Sequence, residues 1–355
     1  MNRFVIRFSF SRVRDSLWSI GQIVLAALTA YLIARYGLGH AVPLLAVTVT
    51  ISSLGFNRDS RPRQVLSTAI AMFSGVLLSE SLLLTLGSGA LQLALAIALA
   101  MMLARLFTSN PAFTITVALQ AVLVQLLETP ATGIYSRAID GLIGGAVALI
   151  FTALLPRNPI KLAKADSKAL FGVFTKTLAA LHSVLLKPDV AVAHGALEEI
   201  RKTQTLVDNW QATLQSAQAI ARISPFYRWA KAEIAEQQEV AAGMDLATRN
   251  LRVLARRIDY LVRDDKPRPQ LAKLLAKILI AVDLLEQTSD DFSVTQKARK
   301  YLRKLAKELA IERYSPALPQ SEIAVLMQIR PLYVDLVIAA GVEPEAARKL
   351  LPRVD

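Results

Sequence analysis

Six ionisable side chains stand in or beside long uncharged stretches in the first half of this sequence: Arg35, Arg63, Glu80, Arg105, Arg137 and Asp140. In hydrocarbon a charge is costly, so charged groups at such places pair with one another or line a path for ions. A carboxylate there can relay protons or hold a substrate, and an arginine can select an anion. Asp140 shares a helix face with Arg137 at i, i+3, so an intrahelical pair is expected. Glu80 has no local partner. It lies about 9 Å from the end of its apolar segment at 1.5 Å per residue, and a pairing with Arg35 or Arg137 across helices is expected.

These residues need a membrane bundle to position them. The run from Gly141 to Leu155 is uncharged, whereas a core helix of a soluble protein shows a polar stripe each turn. Five similar runs precede it. The expected spans are Leu17–Tyr36, Ala41–Phe56, Val65–Leu86, Ala90–Phe107, Pro111–Leu127 and Tyr135–Leu155. A full crossing needs roughly 20 residues, with about 17 as a lower limit, so the second and fifth are short. Residues 1–16 hold four arginines interleaved with Phe4, Phe8 and Phe10. They are either an interfacial anchor on an anionic leaflet or a basic tail that sets orientation. This gives a basic juxtamembrane segment 1–16, a six-span domain 17–156 and a helical domain 157–355.

Basic residues cluster before span 1, between spans 2 and 3, between spans 4 and 5, and after span 6, leaving Arg35 and Arg137 on the other side. The positive-inside rule then places both termini in the cytosol of a cell whose plasma (inner) membrane the chain crosses several times.

The membrane half repeats itself. Leu32-Ile33-Ala34-Arg35 resembles Met102-Leu103-Ala104-Arg105. Pro43 and Pro111 each precede a Thr-Val pair, Thr48-Val49 and Thr116-Val117, and Arg63 and Arg137 each open a span. Three-span units repeated in this way must be inverted, a construction used by transporters. Arg35 and Arg137 would then ring one mouth, and Arg63 and Arg105 the other. Short, Pro-headed segments in matching positions point to a substrate site. The expected pathway therefore includes Pro43, Thr48, Thr68, Pro111, Thr116 and Gln120 beside the charged residues. Helix starts at Pro43 and Pro111 suit an anion. Alternatively, the hydroxyls bond back to their own helix and Gln120 links helices. Gly141, Gly144 and Gly145 allow close helix packing, and Gly141 and Gly145 offer a face for a dimer.

The net charge of +13 divides unevenly. Lysine is absent from residues 1–155 and abundant afterwards. The excess fits positive-inside loops and a domain facing anionic lipid rather than nucleic acid. Without cysteine there is no disulfide or thiolate metal site. The three histidines, His40, His182 and His194, show no ligand spacing. No phosphate-binding Gly-x-x-x-x-Gly-Lys motif occurs, and no nucleophile triad or carboxylate pair with supporting context. Neither cofactor nor catalytic residue is expected.

Two local patterns carry a resemblance. Arg63 opens span 3 with Ser67-Thr68 four residues on, and span 6 carries Arg137-x-x-Asp140-x-x-x-Gly144-Gly145. With six spans ahead of a helical domain, the chain resembles the fusaric-acid-resistance and aromatic-acid-exporter (FUSC) superfamily, to which plant aluminium-activated malate transporters look distantly similar. The resemblance implies outward movement of organic acids and, because larger members hold two such bundles, a homodimer. It also implies an adaptor protein for some members.

After Ile160 the pattern is amphipathic helix after helix, expected at about 160–187, 189–222, 225–263, 268–289, 294–313 and 320–341. Ser224-Pro225 and Ser293-x-x-Gln296 are expected helix starts. The fold expected is all-α: a polytopic membrane bundle plus a helical cytosolic domain. The expected function is export of organic anions, driven by protons or by the anion's own gradient. A passive channel and a non-transporting scaffold or sensor remain the alternatives.

Overall fold

A computed structural model describes residues 10–55, 62–107, 111–127, 135–154, 159–288, 292–311, 314 and 318–352. The basic segment 1–9, the Arg58 and Arg61 loop, and the side chain of Arg63 lie outside the described residues. Among those described there is no strand, and the chain is an all-α polytopic membrane protein. It divides into two units: residues 1–157 with 219–228, and residues 158–218 with 229–355.

Among its described residues the first unit is built on α1 Phe10–Leu32, α2 Leu44–Leu54, α3 Pro62–Leu86, α4 Ala90–Phe107, α5 Pro111–Leu126 and α6 Ser136–Leu154. Many of its fully buried residues are alanines, and many of its large apolar ones face out. Ala26, Ala30, Ala34, Ala100, Ala104 and Ala121 are fully buried, whereas Trp18, Leu91, Met102 and Leu106 are more than 60% exposed. In water that distribution would be unfavourable; against lipid tails it is the expected one.

α1, α3, α4 and α6 are long and apolar enough to cross a membrane. α2 has 11 residues and α5 has 16, so at 1.5 Å per residue α2 is about 16 Å long. Both fall short of a bilayer's roughly 30 Å core.

Glycines set the closest approaches. A Cβ on Gly144 would meet the Ala46 carbonyl oxygen at 2.5 Å and Val49 Cβ at 3.1 Å, and one on Gly145 would meet Ala69 Cβ at 2.9 Å. Gly75 stands to Val117 much as Gly144 stands to Val49, with a 2.7 Å approach to Val117 Cγ1. The order of these meetings fixes direction. Glu80, Val76 and Ala69 of α3 meet Ala138, Gly141 and Gly145 of α6 in turn, so the two helices run antiparallel. α2 runs parallel to α6, and α3 runs parallel to α5.

The second unit contains α7 Pro159–Leu186, α8 Val190–Arg201, most of α9 Gln204–Ile223, α10 Lys231–Leu261, α11 Pro269–Thr288, α12 Thr295–Ala306, α13 Gln320–Ala339 and α14 Pro344–Lys349. α7 is itself long and apolar enough to span a membrane. Within this unit its stripe Leu170, Phe171, Phe174, Leu178, Leu181 and Leu185 is fully buried. Phe171 meets Trp210 edge to face at 6.2 Å. Gly243 of α10 lies so close to the Ala339 backbone of α13 that no Cβ would fit.

Three boundaries differ from expectation. The helix expected over 189–222 breaks at Lys202–Thr203, where the Thr203 hydroxyl and Arg252 Nε both donate to the Ile200 carbonyl. The Ser224-Pro225 start gives a 3-10 segment Pro225–Ala230 before α10 begins at Lys231. α12 has Val294 at its N-cap, following a 3-10 turn, and ends at Ala306 rather than 313.

Candidate functional site

One end of the six-helix unit gathers buried polar groups from the end of α1, the start of α2, the end of α3, the end of α5 and the start of α6. The α1 exit is shaped by a π-helical turn, Ile33–Gly37, and by Gly39 at φ +73°. Glycine takes that left-handed conformation without steric cost. The chain turns back, so the His40 N–H donates to the Ala34 carbonyl at 3.1 Å. This buries His40, whose Nδ1 lies 2.6 Å from Asp140 Oδ1 on α6. Arg35 Nη1 donates to the carbonyls of Ala41, at 2.5 Å, and His40, at 3.3 Å.

Glu80 closes the start of α6. Its carboxylate accepts from the backbone N–H of Arg137 at 3.3 Å and of Ala138 at 2.9 Å. Those are orphan donors of a helix N-terminus, where the dipole also favours an anion. Tyr135, at φ +63°, turns the chain into this start. The Arg137 guanidinium reaches the opposite kind of terminus. It donates to the Val124 carbonyl at 2.5 Å and the Leu127 carbonyl at 2.7 Å, at the C-terminal end of α5.

Two expectations change here. Asp140 takes His40, and the guanidinium that would have matched it at i, i+3 is drawn to the exposed carbonyl end of α5. Glu80 does join Arg137, but through the main chain of Arg137 and of its neighbour. The sequence marks His40 only as a histidine without ligand spacing, not as a site residue. Its signal was slight: it is the one histidine in the apolar half, three residues before Pro43.

Further along the bundle, the Thr48 hydroxyl donates to Gln120 Oε1 at 3.0 Å, joining the two short helices. Thr50 back-bonds to Ala46 at 2.6 Å and also reaches the Gly144 carbonyl. Ser79 donates to the Ala121 carbonyl, and Gln125 donates to the Ser79 carbonyl. Pro43 is buried at the N-cap of α2; Pro111 opens α5 and is exposed. Thr68 is buried on α3, and Thr116 is half-buried on α5. Arg105 lies exposed in the last turn of α4, at the end of the unit where α3 begins. The structure therefore brings together Arg35, Pro43, Glu80, Arg137 and Asp140, and separately Thr48 with Gln120. It does not bring Arg105, Thr68 or Pro111 to the first group.

Gly141, Gly144 and Gly145 all face neighbours inside one protomer: α2 for Gly144, α3 for Gly145, and both for Gly141. The dimer face expected from Gly141 and Gly145 is thus used within the bundle, because α6 packs against both α2 and α3.

Residues 25–151, from α1 to α6, match the family model described as fusaric acid resistance protein-like, FUSC_2. An uncharacterized protein of Corynebacterium glutamicum is 26% identical over 98% of this chain and 91% of its own length. Proteins of Mycobacterium bovis and Mycobacterium tuberculosis named "Putative arylamide transporter" are 23% identical over 74% of this chain and 76% of theirs. These matches support a likeness of the membrane unit to the FUSC superfamily. Family and relatives support a membrane transporter of the efflux type rather than an enzyme.

Proposed function

We propose that this FUSC-like chain exports organic anions, with an aromatic group on the substrate, across the plasma membrane as a homodimer. The observation that carries the proposal is the meeting of the two short helices at Thr48 and Gln120. Matching short helices in two halves of a bundle mark the substrate site of inverted-repeat transporters. Support for the repeat comes from packing: Val49 over Gly144 matches Val117 over Gly75, and α2 beside α6 matches α5 beside α3. The antiparallel α3 and α6 are what an inversion requires. Arginines at both ends, Arg35 and Arg137 at one and Arg63 and Arg105 at the other, favour an anion.

In this reading both termini and residues 158–355 are cytosolic, an adaptor protein is a further partner, and no nucleic acid is involved. The relatives' name suggests testing an arylamide beside a carboxylate. Purified protein in liposomes, loaded with benzoate or with acetanilide, should release benzoate faster than empty liposomes do. Release of acetanilide alone would move the substrate class to neutral aromatics. Release of neither would favour a non-transporting scaffold. Benzoate currents that saturate poorly and reverse at the anion's equilibrium potential would favour the passive channel.

A further inference from the structure

We infer that His40 and Asp140 form a proton-binding site whose occupancy sets the charge of the bundle end that they share with Arg35, Glu80 and Arg137. The inference rests on the transport proposal only for its consequence, not for the site itself.

His40 and Asp140 are 7% and 4% exposed, and they join the α1–α2 connection to α6 across 100 residues of sequence. A contact of 2.6 Å between a ring nitrogen and a carboxylate oxygen holds a proton between them. The pair then exists in two forms. Imidazole with carboxylate carries one negative charge; one more proton makes it neutral, whether drawn on the ring or on the carboxyl.

The neighbours are each held by hydrogen bonds. Arg35 is held by the carbonyls of His40 and Ala41, and Arg137 by those of Val124 and Leu127. Glu80 has both oxygens on amide donors. α2 and α5 contribute no ionisable side chain. Uptake of one proton by the pair therefore makes this end more positive by one charge. A more positive end favours an anion. Proton and anion binding are therefore linked with positive sign, and each raises the affinity for the other. The proton moves only between water and the pair, with no other bond made or broken.

The chain has three histidines, which makes the site directly observable. In the His182→Gln, His194→Gln protein, His40 is the sole imidazole and the pair stays intact. Its ring signals should respond to pH as a single protonation, and that response should change when Asp140→Asn is added. Signals that do not respond to pH, or that respond alike with and without Asp140→Asn, overturn the site. In liposomes, benzoate release by the native sequence should carry protons with it, read by a trapped pH dye. His40→Gln should cut protons per benzoate by about tenfold or more, and the exchanged pair His40→Asp, Asp140→His should restore them. Unchanged proton movement in His40→Gln also overturns the site. A protein that moves no benzoate while His40 titrates with Asp140 sinks the transport proposal and supports the proton site.

Discussion

Gly144 lies beneath the Ala46 carbonyl, where a Cβ would come within 2.5 Å of the oxygen. Backbone cannot yield as a flexible side chain can, so Gly144→Ala should push α6 away from α2. Overpacking of this kind costs about 1–3 kcal/mol. Gly141 is the control, because its nearest neighbours are all 4.0 Å away. Thermal unfolding in detergent should show Gly144→Ala clearly destabilised and Gly141→Ala close to the parent. Equal effects would mean that α6 is not seated on α2 in this way.

Arg137 is buried and spans two helix ends: its guanidinium holds the carbonyl end of α5, and its N–H is held by Glu80. Arg137→Gln shortens the side chain and removes its charge, leaving those carbonyls without it. Breaking such buried, charge-assisted bonds costs about 2–5 kcal/mol. The variant should therefore fall in yield and in unfolding temperature, not only in flux. Arg35 is half-buried and bonded to one connection, so Arg35→Gln should be milder. A stable Arg137→Gln protein with lost flux would return Arg137 to a purely pathway role.

The helices of the membrane unit were legible because charged and turn-forming residues punctuate long apolar runs. So was the shortness of α2 and α5, which follows from counting residues between prolines and loops. The polar end was legible as a set of costly residues, Arg35, Glu80, Arg137 and Asp140, but not as pairs. Helical spacing matched Arg137 to Asp140, yet spacing says nothing of the α5 carbonyls that compete for the same guanidinium. His40 was hidden because its partner lies 100 residues away. In the second unit, the break at Lys202–Thr203 depends on Arg252 from another helix, which local periodicity does not contain.

Orientation can be tested without background, since the chain has no native cysteine. Ser88 lies in the charge-free connection between α3 and α4, while Ser60 lies in the arginine-bearing loop before α3. The positive-inside rule puts Ser60 in the cytosol. A cysteine at Ser88 should react with an impermeant maleimide in intact cells, and one at Ser60 only after lysis. The reverse pattern would invert the bundle.

Asp335 gives the second unit a pH dependence. Burial pushes its carboxyl above the ordinary value of 3.8, against the hydrogen bond from Asn250 Nδ2 at 2.5 Å. A raised value in the folded state means that the protonated form is favoured there. Its contribution is thus complete below pH 3.8 and fades as pH rises through the folded value. Near neutral pH the fold carries a buried charge, which Asp335→Asn removes while keeping a partner for Asn250. Unfolding temperature should rise in the variant at about pH 7 and gain less at about pH 4. A gain that is larger at the acidic end would contradict the assignment.

Arg63 and Arg105 mark the other end of the bundle, and under the proposed repeat Arg63 is the mate of Arg137. Arg58 precedes Arg63 by five residues in the sequence but has no mate. If a fixed positive end concentrates anions, its effect is electrostatic and falls with ionic strength. Arg63→Gln should then cut benzoate flux strongly at low salt, with expression and oligomeric state unchanged. High salt should reduce the flux of the parent toward that of the variant. Arg58→Gln should do much less under the same conditions. The comparison controls for orientation, because both substitutions remove one positive charge from the same short stretch of sequence. Were the two variants to behave alike, both silent or both misfolded, these arginines would be signals of topology and not parts of a pathway.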